Sequence, residues 1–217
     1  MFLTIIKLFS LSILFAGIVA IVRFRKINKI YLPFLYLVWL ACFNEILNLV
    51  FLANKLPVAV NNNIYVLLES LLILWFFKNM LFLNKKSSLF LAACIFLLAL
   101  WTYENMLEGK IYSISSYFRI CYSFIIVLLS ITTINKLLST VRRKISSNSV
   151  FLICTSFIIF FTFKILVETF WLYGVSLTRN FQVIIYNIII YINLFTNLVF
   201  ALAILWMPKK QIFTMPS

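Results

Sequence analysis

Seven apolar runs, each long enough to cross a lipid bilayer, take up nearly the whole chain, and the stretches between them alternate between basic and almost uncharged. The runs cover residues 2–22, 30–53, 64–83, 88–107, 111–134, 150–173 and 180–207. A helix needs about 20 mostly apolar residues to cross the hydrocarbon layer. Within that layer every backbone N–H and C=O must be satisfied inside the segment, which selects helices for runs of this kind. The expected fold is an all-α membrane protein: one seven-transmembrane-helix bundle formed by residues 1–217.

The charges orient the bundle. Arg23, Arg25, Lys26 and Lys29 follow the first run, and Lys85 and Lys86 the third. Lys136, Arg142, Arg143 and Lys144 follow the fifth, and Lys209 and Lys210 the seventh. The only basic residues in the alternate connections are Lys55, Lys110 and Arg179. Basic loops stay on the cytoplasmic side, so the N-terminus is expected outside and the C-terminus in the cytoplasm, with a bacterial inner membrane as the location. The first run is read as a retained helix, since its positive charges follow the apolar segment and Lys7 interrupts it. The net charge of +14 reflects this loop bias and an attraction to anionic lipid heads, not a nucleic-acid surface.

What is missing narrows the chemistry. The chain has no His and no Asp, and its acids are Glu45, Glu69, Glu104, Glu108 and Glu168. Haem held by His, His-bearing zinc sites and Ser–His–Asp triads are excluded within it. Cys42, Cys94, Cys121 and Cys154 lie in separate runs and read as small buried apolar residues. The expectation is a protein with no enzymatic activity, no metal and no cofactor.

Ionisable groups inside a membrane are costly and normally face the bundle interior. At about 100° per residue, Asn44, Glu45 and Asn48 share one face of the second helix, and Asn62, Tyr65 and Glu69 one face of the third. Tyr112, Ser115, Ser116, Arg119, Ser123 and Ser130 share a face of the fifth, Lys164, Glu168 and Trp171 of the sixth, and Arg179, Gln182, Tyr186, Asn193 and Asn197 of the seventh. The first and fourth helices have almost no mid-membrane polar residues and are expected to face lipid most. Glu45, Asn48, Tyr65, Glu69, Arg119, Lys164, Glu168, Gln182 and Tyr186 are thus expected to line a polar pocket in the outer half of the bundle. Lys164 and Glu168, at i and i+4, form the natural ion pair. Either Glu45 or Glu69 is then left to be protonated, donating to Asn48 or Tyr65. Glu104 and Glu108 are expected in water at the rim.

The span pattern as a whole resembles the seven-helix sensory membrane domains that precede bacterial histidine kinases, a resemblance of fold without a shared motif. Microbial rhodopsins also have seven helices but hold retinal through a lysine in the last one, and no lysine occurs between Asn180 and Met207. The one-sided polar pocket, combined with the lack of a soluble output domain, points to a small stand-alone sensory or regulatory membrane protein, with a small polar or amphipathic ligand from the outer side and a cytoplasmic or membrane signalling partner. The alternative reading is a small transporter or proton-coupled carrier that uses its intramembrane glutamates.

Overall fold

The computed structural model describes residues 9, 11–81, 87–140, 145, 148–173 and 179–209, with residues 87, 140 and 179–186 described through their backbone alone. Seven α-helices occur among these residues. They are α1 (Ile13–Arg23), α2 (Leu32–Ala53), α3 (Val58–Leu81), α4 (Ser87–Thr102), α5 (Ser116–Thr140), α6 (Ser149–Leu172) and α7 (Arg179–Trp206). Six of the seven regions contain a helix long and apolar enough to cross a membrane. The exception is α1, described over 11 residues, because much of the predicted first span lies outside the described residues.

Helix ends follow local chemistry. Pro33 sits in the first turn of α2, where its missing N–H is not needed. The side chain of Asn148 caps α6 by accepting from the Val150 N–H at 2.9 Å. At the end of α2, the N–H groups of Lys55 and Leu56 turn back to the carbonyls of Leu52 and Phe51. This is a Schellman closure, and it places Lys55 at φ 56°, where glycine is the usual occupant. The helical path of α4 continues through a π turn, Tyr103–Leu107. Gly109, left-handed at φ 68°, and a 3-10 turn at Lys110–Tyr112 then lead into α5.

Two helices begin away from their expected positions. The third starts at Val58, not residue 64, because the amides of Asn61, Asn62 and Asn63 find partners on other elements and need no water. The fifth starts at Ser116, not residue 111, because the Gly109 turn and the extended Ser113 delay it.

Packing closes a ring. Neighbouring contacts run α1–α2, α2–α3, α3–α5, α5–α6, α6–α7 and back from α7 to α1, while α4 packs outside the ring against α3 and α5. Expected exposure is thus met by α4 but only half met by α1, whose Ile13, Ala16, Gly17 and Ala20 are buried against its neighbours. Gly17 permits this approach: a Cβ there would stand 2.6 Å from Cys42 Sγ. At the basic end, Arg23 donates to the Ile204, Leu205 and Met207 carbonyls, joining α1 to the last turn of α7. Phe34, Phe76, Phe77, Phe157 and Phe200 fill the ring above that junction, with edge contacts such as Phe34–Phe200 at 5.1 Å. Large apolar side chains including Phe15, Ile18, Leu91, Phe96, Phe124 and Leu128 point outward. That inside-out pattern of polar interior and apolar exterior suits a hydrocarbon surround.

Candidate functional site

Opposite the aromatic floor, the ring encloses a cavity of about 580 Å³ reached by side chains of α1, α2, α3, α5, α6 and α7. One wall is built by asparagines. Asn61 Nδ2 donates to Asn44 and Asn48 Oδ1, both at 2.8 Å, and Asn48 Nδ2 donates to Asn62 Oδ1 at 3.1 Å. This ladder ties α2 to α3. Such interhelical amide bonds occur where the alternative is an unsatisfied group in hydrocarbon.

Asn63, one residue on, faces away from that ladder and is completely buried. Its Nδ2 donates to the Ser113 carbonyl at 2.7 Å, and its Oδ1 accepts from Ser115 Oγ at 3.0 Å and Arg119 Nη2 at 3.3 Å. Trp101 Nε1 donates to the Asn63 carbonyl at 2.8 Å, so a single residue joins α3 to α4 and to the start of α5. Sequence reading assigned Asn63 to a loop. Three successive asparagines do not reveal which of them faces which neighbour.

Charged groups form two clusters one helical turn apart. Glu69 accepts from Tyr65 Oη at 2.9 Å, from Tyr122 Oη at 2.6 Å and from Lys164 Nζ at 3.3 Å. Lys164 also donates to Tyr122 Oη and lies 5.0 to 5.6 Å from the ring centres of Tyr122, Phe160 and Phe161. An ammonium over aromatic faces gains further electrostatic stabilisation. In the second cluster, Arg119 Nη1 meets Glu168 Oε1 at 3.4 Å, and Ser116 Oγ donates to Glu168 Oε2 at 2.8 Å. All four ions are mostly buried, with the side chains of Glu69 and Glu168 each 8% exposed.

The expected Lys164–Glu168 pair does not form. The antiparallel packing of α5 on α6 sets Arg119 level with Glu168, and Lys164, a turn deeper, reaches across to α3. Each ion therefore neutralises one from another helix. Tyr65 and Tyr122 donate to Glu69, which accepts through both oxygens. Asn48 is committed to Asn61 and Asn62. Glu69 lies about 17 Å from the first residue of α3 at 1.5 Å per residue, within the N-terminal half of that helix.

Of the nine expected site residues, Glu45, Asn48, Tyr65, Glu69, Arg119 and Lys164 line the cavity. Glu168 stands behind Arg119 and holds it. Gln182 and Tyr186 belong to α7, but their side chains lie outside the described residues. Trp171 is 54% exposed and leaves the expected polar face for the exterior. Lower in the cavity the lining is mostly apolar, with Leu37, Val38, Ile73, Phe157 and Phe200, and Thr196 and Asn197 add polar groups from α7.

Glu104 was expected in water and is instead 1% exposed. Its carboxylate accepts the N–H groups of Tyr117 at 3.1 Å and Phe118 at 2.6 Å, the second and third residues of α5. A negative group at a helix N-terminus satisfies orphan donors and complements the helix dipole. The π turn carries Glu104 to this position, and no spacing rule on a regular helix would find it. Glu108 does remain at the surface, bonded to Lys110 Nζ at 2.6 Å. That bond holds its carboxyl below the ordinary carboxylate range.

No group of three or more potential metal ligands occurs among the described residues. No protein-family model, curated protein or solved structure matches the chain. Fold and site together define an all-α bundle of membrane-type helices around a half-polar, half-aromatic cavity.

Proposed function

We propose that this chain is a small seven-span sensory or regulatory protein of a bacterial inner membrane, with its N-terminus outside, that binds a small polar or amphipathic molecule entering from the outer side. The supporting observation is the cavity itself. Six side chains singled out as intramembrane polar groups converge on one space of about 580 Å³, within the range of small-molecule sites. Outward entry rests on the charge pattern, which puts the α2–α3 turn outside. The aromatic layer of Phe34, Phe76, Phe157 and Phe200 separates the cavity from the basic end, which suits a binding site closed on the cytoplasmic side. A signalling partner would meet the basic loops.

The carrier reading draws on one feature. Tyr65, Glu69, Tyr122 and Lys164 form an unbroken hydrogen-bonded chain of titratable groups, the material of proton coupling. Against it, Ser130 bonds back to the Ile126 carbonyl, and Asn197 turns sideways to Ser12, so neither extends the polar chain toward the basic end.

Native mass spectrometry of the protein released from membranes in a non-ionic detergent tests the binding reading. The wild type should carry a small-molecule adduct that Ala41→Phe, which fills the cavity, does not. Identical spectra would count against the pocket. Glu69-dependent uptake by proteoliposomes would favour the carrier.

A further inference from the structure

Resting on that binding reading, we infer that the cavity selects an uncharged amphiphile: a molecule with a neutral hydrogen-bonding head and an aliphatic body. The argument begins with the charges. Both cations on the wall already have carboxylates from other helices, Lys164 from Glu69 at 3.3 Å and Arg119 from Glu168 at 3.4 Å. An anionic head would have to break up a buried ion pair and would face Glu45 and Glu69 as well. A cationic head would meet Arg119 and Lys164 on the same wall as Glu45, whose carboxylate already has an interaction of its own. Separating a buried pair leaves an uncompensated charge, which is strongly unfavourable. A neutral head disturbs neither pair.

The wall offers such a head suitable partners. Asn44, Asn62 and Asn193 line the cavity, and amides both donate and accept without charge. Below them the lining is mostly apolar, with Leu37, Ile73, Phe157 and Phe200, which accommodate an aliphatic body. Amides toward one end and a mainly apolar lining toward the other match one molecule with two ends.

Three photoreactive probes sharing a dodecyl chain with a mid-chain diazirine test this: the alcohol, the carboxylate and the ammonium. Each is incubated at neutral pH with the full protein in nanodiscs of a zwitterionic lipid, and adducts are mapped by peptide mass spectrometry. The alcohol should label peptides bearing Phe157, Phe161 and Phe200 at least fivefold more than either charged probe does. Ala41→Phe and Ile190→Phe should each abolish that labelling while leaving labelling of the outward-facing Leu91 and Phe96 unchanged. Preferential cavity labelling by the carboxylate or the ammonium would overturn the neutral class and leave the binding reading standing. Equal cavity labelling by all three would do the same. Labelling confined to outward-facing positions for every probe would overturn both.

Discussion

Glu69 collects donors from three helices, and its surroundings explain why an intramembrane carboxylate is tolerated there. Tyr65, Tyr122 and Lys164 replace the hydration it gives up. Breaking a buried pair by removing one partner typically costs about 3–5 kcal/mol. Lys164→Met should therefore lower unfolding stability in detergent by an amount of that order. A double-mutant cycle gives the sharper measurement: Lys164→Met with Glu69→Gln should show a coupling energy near the upper end of the usual ~0.5–3 kcal/mol. Lys164→Met with Glu168→Gln should couple more weakly, and the reverse order would restore the i, i+4 pairing. At the surface, Glu108 owes its lowered pKa first to the hydrogen bond from Lys110. A lowered folded pKa means that the contribution is present above the unfolded carboxylate pKa and is lost as pH falls through the folded one. Glu108→Gln should accordingly flatten the stability–pH slope on the acid side, roughly below pH 4.5, with little change at neutral pH.

At the level of the helices, ends and close contacts carry the specificity. Glu104 caps α5 from another element through two N–H groups. Glu104→Ala should cost about 1–2 kcal/mol, the range for loss of an N-terminal cap, and hydrogen exchange should show the first turn of α5 opening. Glu104→Gln keeps an acceptor and should lose less. The α1–α2 contact is decided at Gly17, where an added Cβ meets Cys42 Sγ at 2.6 Å while that thiol donates to the Ile13 carbonyl at 3.4 Å. Gly17→Ala should destabilise by about 1–3 kcal/mol, as overpacking does. Adding Cys42→Ala should recover most of the loss in thermal unfolding. A matched pair of melting curves for the single and double variants decides it.

For the molecule as a whole, the ring requires that α1 and α7 meet, and Arg23 makes that join at the basic end with three carbonyls of the last turn of α7. The orientation of the ring in the membrane is tested by labelling. A membrane-impermeant maleimide should modify Ile114→Cys in intact cells, and Lys209→Cys only after the membrane is opened. The opposite pattern would invert the topology and turn the cavity toward the cytoplasm.

How much of this was legible follows from the range over which each force acts. Apolar run length is a local property, so the helical architecture and the inward-facing stripe of Glu45, Asn48, Tyr65 and Glu69 could be read along the chain, while the starts of α3 and α5 could not. Pairing between helices is not local. Lys164 and Glu168 are neighbours on α6, yet their partners lie on α3 and α5, because helix stagger sets which charges stand level. Glu104 was misplaced for another reason: a π turn rotates it off the regular helical face and under the end of α5. The amino-acid sequence alone determined that polar groups would turn inward, since hydrocarbon leaves them no other solvent. Only the tertiary structure decided which groups meet, because the register between helices is set by side-chain packing that no single helix encodes.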